Sequence, residues 1–101
     1  MAVYTYLWRF RVSPGAEEEF RRHYGPDGTW AALFRRAPGY LDTRLLADLD
    51  RPSEFVTIDR WRYEESFLEF RRRFAREFAE LDEWCATLTE NETQLGSYTE
   101  S

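Results

Sequence analysis

Hydrophobic and polar residues alternate along the first twelve residues of the chain. One face of this segment carries five large apolar side chains: Tyr4, Tyr6, Trp8, Phe10 and Val12. Alternation with many aromatic and β-branched residues is typical of a strand with one buried face. The pattern therefore predicts a strand over 2–12 whose aromatic side faces the core.

A helix is predicted after this strand. Ser13 and Pro14 suit its N-cap and first position, and Glu17 to Glu19 place negative charge in its early turns. It runs to about Tyr24, where the glycine-containing segment 25–28 interrupts it.

A second, short helix is predicted over 30–36 because its apolar residues fall on one side. Two strands follow, over 40–49 and 55–62. The loop between them contains Pro52 and Ser53, which favours a hairpin.

The longest predicted helix begins near Glu64. Its apolar residues recur at steps of three or four: Phe67, Phe70, Phe74, Phe78, Leu81, Cys85 and Leu88. Such a stripe is buried in most globular proteins, so Cys85 is interpreted as a small core residue and not as a nucleophile. A break is expected near Asp82, and a final strand is predicted over 93–99.

The resulting order β-α-β-β-α-β is that of a ferredoxin-like α+β sandwich with a four-stranded antiparallel sheet. A chain of 101 residues has the size of one domain, taken as 1–101. The helices of this fold cover one sheet face. The other face would carry an apolar centre with arginines around it: Val3, Leu7, Leu46, Val56 and Ile58, with Arg9, Arg11, Arg44, Arg60 and Arg62.

Asp42 and Asp48 are possible partners for these arginines. An exposed apolar patch with a charged rim is typical of an interface, so a homodimer through the open sheet face is predicted.

Charge and composition exclude several classes of partner. The net charge of −5 argues against a general nucleic-acid binder. The cluster of Arg71, Arg72, Arg73 and Arg76 among glutamates is interpreted as a solvated, salt-bridged helix face. One cysteine and no signal-like or membrane-length apolar run lead us to expect a cytoplasmic protein without a membrane partner.

Three segments carry a resemblance to a known family. They are "FRVSPGAEEEF" (10–20), "APGYLDTRLLAD" (37–48) and "FVTIDRWRYEESFLEF" (55–70). In this order and spacing they resemble the antibiotic biosynthesis monooxygenase domain. The resemblance implies two ferredoxin-like subunits forming a dimeric α/β barrel. It also implies oxidation of phenols, hydroquinones or anthrone-like polyketides with dioxygen, without metal or flavin.

Two branches of that family have recognisable residue patterns. The haem-degrading branch resembles this chain at Trp61, but its Asn and His positions hold Trp8 and Arg71 here. The polyketide-oxidising branch has an Asn four positions before the same Trp and a Tyr six positions after it. Those positions hold Thr57 and Phe67, so neither catalytic set is complete.

Asp59 is the main candidate catalytic residue. It lies two positions before Trp61, so the two share a strand face, and burial there should raise the pKa of the Asp59 carboxyl. His23, the only histidine, is the second candidate base. Trp61 completes the candidate catalytic set, and six residues are candidates for substrate binding: Tyr6, Trp8, Thr57, Phe67, Trp30 and Phe74.

Each candidate also has an ordinary structural alternative. The aromatic residues could form a solid core, and Asp59 could make a buried salt bridge or hydrogen bond to a neighbouring Arg or Tyr. His23 could be a partly exposed surface residue.

We therefore predict a small cofactor-independent monooxygenase that oxidises an electron-rich aromatic with dioxygen as co-substrate. The alternatives are a non-catalytic ligand-binding or structural dimeric module, and a protein that binds haem without degrading it. A cavity of a few hundred cubic ångströms lined by Asp59 and aromatics would favour the enzyme.

Overall fold

The computed structural model describes residues 2–101. Its elements are β1 (Tyr4–Val12), α1 (Glu17–Tyr24), α2 (Thr29–Phe34), β2 (Tyr40–Ala47), β3 (Glu54–Trp61), α3 (Glu64–Arg73), α4 (Ala75–Cys85), a 3-10 turn (Ala86–Leu88) and β4 (Thr89–Thr99). The strands form one antiparallel sheet in the order β2-β3-β1-β4. This arrangement confirms the predicted ferredoxin-like α+β fold.

The start of α1 differs from the prediction. The helix begins at Glu17 with Ala16 as its N-cap, so the assignment of Ser13 as N-cap was wrong. Gly15 has a φ of 81°, which reverses the chain before a helix can form. Ser13 accepts a hydrogen bond from the backbone N–H of Ala16 in this turn, and its hydroxyl donates to the carbonyl of Thr87.

The long C-terminal helix is broken, but not at Asp82, where the break was expected. Phe74 separates α3 from α4 with φ −110° and ψ 28°, whereas Asp82 lies inside α4. The predicted apolar stripe is confirmed, since its members are buried or half-buried. The final strand begins at Thr89, earlier than predicted. No helix within 2–101 is long and apolar enough to cross a membrane.

A bulge in β2 sets the direction of two side chains that reach the site. Tyr40 pairs with Trp61 and Thr43 pairs with Asp59, so β2 uses one residue more than β3 between these pairs. The extra residue is Leu41, which is exposed. Because the bulge shifts the alternation by one, Tyr40 and Thr43 both face the helices.

Aromatic side chains fill the space between the sheet and the helices. Trp61 has no exposed surface, and its ring lies 5.3–5.6 Å from those of Phe34, Tyr40, Phe67 and Phe70. Three of these contacts are edge-to-face, a favoured geometry for aromatic pairs. The indole of Trp61 is thus a central core side chain.

The open sheet face has the predicted apolar centre and charged rim. Leu46, on the edge strand β2 of this face, is 48% exposed. At the rim, Arg9 lies 3.3 Å from Asp48, and Arg60 lies 2.6 Å from Asp42. These are the ion pairs expected from the sequence.

Candidate functional site

A cavity of about 380 Å³ lies between the helix-facing side of the sheet and the helices. That volume falls within the range of small-molecule sites. Its wall is mainly aromatic: Tyr4, Tyr6, Trp8 and Phe10 from β1, and Tyr24, Trp30, Phe34, Phe67 and Phe78 from the helices. Such a wall suits a flat aromatic ligand.

Asp59 lies in the wall of this cavity and is 6% exposed. The Thr43 hydroxyl donates to Oδ1 of Asp59 over 2.5 Å, and the Tyr40 and Thr43 hydroxyl oxygens are 2.7 Å apart. Because Thr43 gives its only proton to Asp59, its oxygen accepts the proton of Tyr40. Two hydroxyls from β2 therefore form a directed chain that ends on the carboxyl.

Burial raises the pKa of the Asp59 carboxyl from 3.8 to about 7; the hydrogen bond from Thr43 acts in the opposite direction, and the charge of Asp42 adds to the rise. Among residues 2–101, Asp59 forms no ion pair. Asp59 therefore does not make the salt bridge considered as an alternative. Its hydrogen bond comes from Thr43 and not from a neighbouring Arg or Tyr. Both protonation states of Asp59 are accessible near neutral pH, as a general base requires.

Tyr6 lies directly opposite Asp59 in the pairing of β1 with β3. Burial, followed by the charge of Asp59, raises the pKa of the Tyr6 phenol well above 10. The indole N–H of Trp61 donates to the Tyr6 oxygen over 3.4 Å. The phenol of Tyr6 thus keeps its proton and can donate it to an oxygen atom in the cavity.

The structure brings Asp59 together with five predicted substrate-binding residues: Tyr6, Trp8, Thr57, Phe67 and Trp30. Two other candidates lie outside the cavity lining. Trp61 is buried behind it, where it donates a hydrogen bond to Tyr6 and packs against Phe34 and Phe67 of the wall. Phe74 is buried against Phe70, with ring centroids 5.5 Å apart.

His23 is also outside the cavity lining. It is 5% exposed, so the alternative of a partly exposed surface position was wrong. Nδ1 lies 2.8 Å from the hydroxyl of Thr29, and the ring meets Trp84 edge-on at 5.0 Å. The fold therefore holds His23 in a contact between α1, α2 and α4, away from Asp59.

Sequence reasoning missed several residues of the site. Tyr40 and Thr43 were hidden because plain alternation along β2 would place them on opposite faces. Arg71 was interpreted as part of a solvated, salt-bridged face. It is exposed as expected, but it also lines the cavity, with its guanidinium 3.9 Å from the ring centroid of Phe78.

The cavity has two polar ends. Asp59 and Tyr6 mark one end, and Glu92, which pairs with Phe10, marks the other together with Asp82. Tyr6 and Phe10 are four residues apart on β1, which corresponds to about 13 Å. Within residues 2–101, no group of three or more His, Cys, Asp or Glu side chains is arranged to hold a metal ion. An organic ligand with oxygen atoms at its ends fits this distribution of polar groups.

Several solved structures share this fold. SnoaB from Streptomyces nogalater, described as a cofactor-independent oxygenase, is 26% identical, with 100% of this chain and 95% of that chain covered and a TM-score of 0.73. PA3566 from Pseudomonas aeruginosa is 18% identical, with 100% and 96% covered and a TM-score of 0.72. A conserved protein from Methanosarcina mazei Go1 is 16% identical, with 100% and 95% covered and a TM-score of 0.74. The last two likenesses concern the fold alone.

Among curated protein sequences, none matches this chain. The sequence model of the family described as antibiotic biosynthesis monooxygenase matches residues 4–84. This range contains β1 to β3, the helices up to Trp84 and nearly all of the cavity wall. It also contains the three segments on which the resemblance was based. The chain therefore belongs to the antibiotic biosynthesis monooxygenase family.

Proposed function

We propose that this protein is a monooxygenase that oxidises an electron-rich aromatic substrate, such as a quinol, phenol or polyketide-like phenol, with dioxygen and without a cofactor. One observation carries the proposal: a buried carboxyl, Asp59, with a pKa of about 7, lies in the wall of an aromatic cavity of about 380 Å³. Perturbed carboxyls in such cavities are typical of general bases.

The chemistry begins with removal of a proton. Asp59 as carboxylate takes the proton of a substrate hydroxyl, and the resulting phenolate is a far better electron donor than the neutral phenol. Tyr6 donates a hydrogen bond to the phenolate oxygen. The phenolate supplies four electrons to dioxygen, so that a ring carbon loses its hydrogen and gains one oxygen atom as a carbonyl. The second oxygen atom leaves as water with the two hydrogens removed.

The environment of the site supports this sequence of events. Thr43 and Tyr40 orient the carboxyl, and the mainly aromatic wall provides an environment of low polarity around it. The description of SnoaB as a cofactor-independent oxygenase, at 26% identity, supports the same class of reaction.

We also propose that two copies associate through the open sheet face. On this face each copy has an exposed Leu46 on β2 beside the half-buried Val56 and Ile58 of β3, with ion-paired arginines at the rim. Sheet-on-sheet packing would bury this surface in a symmetric dimer.

A non-catalytic binding module is the second candidate. It is favoured by Thr57 and Phe67, which stand where the polyketide-oxidising pattern has an Asn and a Tyr. Such a module would bind aromatic ligands in the same cavity without consuming oxygen.

The deciding experiment measures oxygen consumption with a panel of phenols and hydroquinones. Wild-type protein should consume oxygen with at least one of them, and Asp59→Asn should lower the rate by about a hundredfold or more. Asp50→Asn, in the exposed β2–β3 loop, is the matched control and should keep the wild-type rate. Turnover by Asp59→Asn at the wild-type rate would refute the role of Asp59. Ligand binding without oxygen consumption would support the binding module.

A further inference from the structure

Arg71 on α3 lies in the wall of the cavity. It is the only basic residue in this wall within the part of the chain that the structure describes. The other charged residues of the wall are all acids: Asp59, Asp82 and Glu92. Because Arg71 is also exposed to solvent, its side chain lies at an opening of the cavity, where a ligand can reach it.

Arg71 has no carboxylate partner within residues 2–101. The residues three and four positions away, which are its neighbours on the helix surface, are all apolar: Phe67, Leu68, Phe74 and Ala75. The next residue, Arg72, instead binds Glu69 over 2.6 Å. The other described helices and strands supply no ion pair to Arg71 either. Its positive charge is therefore uncompensated.

Phe78 on α4 holds the guanidinium of Arg71. The guanidinium carbon lies 3.9 Å from the centroid of the Phe78 ring, a favourable cation–π contact. The ring of Phe78 is itself held edge-on to Trp30 at 4.9 Å and to Phe70 at 6.2 Å. A cation–π contact uses none of the guanidinium N–H groups, and Arg71 donates no hydrogen bond to the residues described. Its donors are therefore positioned but unused.

The acids of the same wall do not cancel the attraction of Arg71 for an anion. Asp82 and Glu92 are both exposed, and neither forms an ion pair with Arg71. Water and salt screen exposed charges strongly beyond contact distance. A carboxylate in direct contact with the guanidinium is therefore favoured, even though two acids lie elsewhere in the wall.

Arg71 lies apart from the catalytic end of the cavity. Phe67 precedes it by one helical turn, and the ring of Phe67 is 4.9 Å from that of Tyr6, which pairs with Asp59. The guanidinium of Arg71 lies instead over Phe78, which contacts Trp30. A group bound by Arg71 and a hydroxyl held by Asp59 are thus different substituents of one ligand.

We propose that Arg71 is a specificity-determining residue that binds a carboxylate of the substrate, so that the substrate is a hydroxylated aromatic carboxylic acid. The planar fork of a guanidinium matches a carboxylate, which it binds through two parallel hydrogen bonds. The proposal rests on the proposed function to the extent that the same cavity holds the substrate. It adds a second substituent and assigns its recognition to one side chain.

Calorimetric titration under nitrogen with two probes tests the proposal. 6-Hydroxy-2-naphthoic acid and 6-hydroxy-2-naphthamide share the ring skeleton, the hydroxyl and nearly the same shape, but only the acid is anionic at neutral pH. The wild type should bind the acid more tightly. Arg71→Met keeps a long side chain that packs on Phe78 and should lose about tenfold of that preference, the value of a partly exposed charge-assisted pair.

Arg73→Met is the matched control. Arg73 is also an exposed arginine of α3 without an ion pair in the described chain, and its guanidinium lies 5.6 Å from the ring of Phe74. Neither Arg73 nor Phe74 lines the cavity. This variant should keep the wild-type preference for the acid. Thermal unfolding of both variants checks their folding, and both should unfold close to the wild type because the replaced side chains are exposed.

Salt provides a second readout. Raising sodium chloride to about 0.5 M should reduce the preference of the wild type for the acid and hardly change that of Arg71→Met. An equal preference in the wild type and Arg71→Met, an equal loss in Arg73→Met, a preference that salt leaves unchanged, or binding of neither probe would overturn the proposal. A wild type that prefers the amide would also overturn it, because Asp82 and Glu92 would then dominate this part of the wall. Binding requires no turnover, so absence of oxygen consumption would defeat the proposed function alone.

Discussion

The hydroxyl of Thr43 lies 2.5 Å from Oδ1 of Asp59 and donates its proton to it. The two residues are direct partners in the β2–β3 pairing, and both are buried. This hydrogen bond stabilises the carboxylate, while burial stabilises the protonated acid. Their balance places the pKa of Asp59 at about 7, where a small change in either one changes the fraction of carboxylate at neutral pH.

Thr43→Val should move the pH dependence of oxygen consumption to higher pH. The substitution removes the hydrogen bond that lowers the pKa of Asp59, so the carboxylate forms only at higher pH. The rate should therefore fall most at pH 6 and approach the wild-type rate at pH 9. kcat/KM measured from pH 5 to 10 gives the midpoint.

The control for this substitution is Thr5→Val. Thr5 is also a buried threonine, but its hydroxyl donates to Glu100 and it does not line the cavity. Its midpoint should equal that of the wild type. A midpoint that stays fixed or moves to lower pH in Thr43→Val would contradict the assignment.

Asp59→Asn should change how stability depends on pH. Below about pH 4 the Asp59 carboxyl is protonated in both the folded and the unfolded protein. Between pH 4 and 7 only the folded protein keeps this proton. Because the folded pKa is raised, this contribution is complete at low pH and is lost as pH rises. The wild type should lose about 1.4 kcal/mol of unfolding free energy per pH unit in this window relative to the variant.

Urea unfolding at half-unit pH steps measures this difference. Asp50→Asn should run parallel to the wild type, since Asp50 lies exposed in a loop. Parallel curves for the wild type and Asp59→Asn would show that the carboxyl keeps an ordinary pKa.

Tyr6→Phe should lower kcat by about a hundredfold while leaving KM nearly unchanged. The Tyr6 phenol stays protonated because burial raises its pKa, and its proposed hydrogen bond strengthens as the phenolate charge develops. The variant should also lose about 1–3 kcal/mol of stability, since the N–H of Trp61 loses its acceptor. Steady-state kinetics and thermal unfolding test the two effects separately. An unchanged kcat would show that another group stabilises the phenolate.

The sequence predicted the fold well because the signals are periodic. The alternation of β1 and the apolar stripe from Phe67 to Leu88 both depend on many residues, so one exception does not hide them. The same alternation predicted that Asp59 and Trp61 share a face, and burial of both confirms it. Tyr6, Trp8, Thr57 and Phe67, which line the cavity, lie on these patterned segments.

Single-residue irregularities limited the rest. The bulge at Leu41 turns Thr43 towards Asp59. No periodic pattern in the sequence predicts this bulge. The break at Phe74 also has no sequence signal, because the residue is apolar and lies in the core. The position of His23 depends on its contacts with Thr29 of α2 and Trp84 of α4. The periodicity of α1 alone does not predict these contacts. Tertiary packing decided all three.

Leu46→Glu should weaken the proposed dimer by about a hundredfold or more. Leu46 is 48% exposed in one copy and lies on the edge strand β2 in the open sheet face, beside Val56 of β3, so a glutamate is tolerated in the monomer but loses water in the dimer. Leu68→Glu is the matched control, since Leu68 is 43% exposed on α3 and lies on the helical side of the molecule. Sedimentation velocity from nanomolar to micromolar concentrations should show a dimer for the wild type and the control, and a monomer for Leu46→Glu. A monomeric wild type at micromolar concentration, or an intact dimer of Leu46→Glu, would refute the proposal that the open sheet face is the dimer interface.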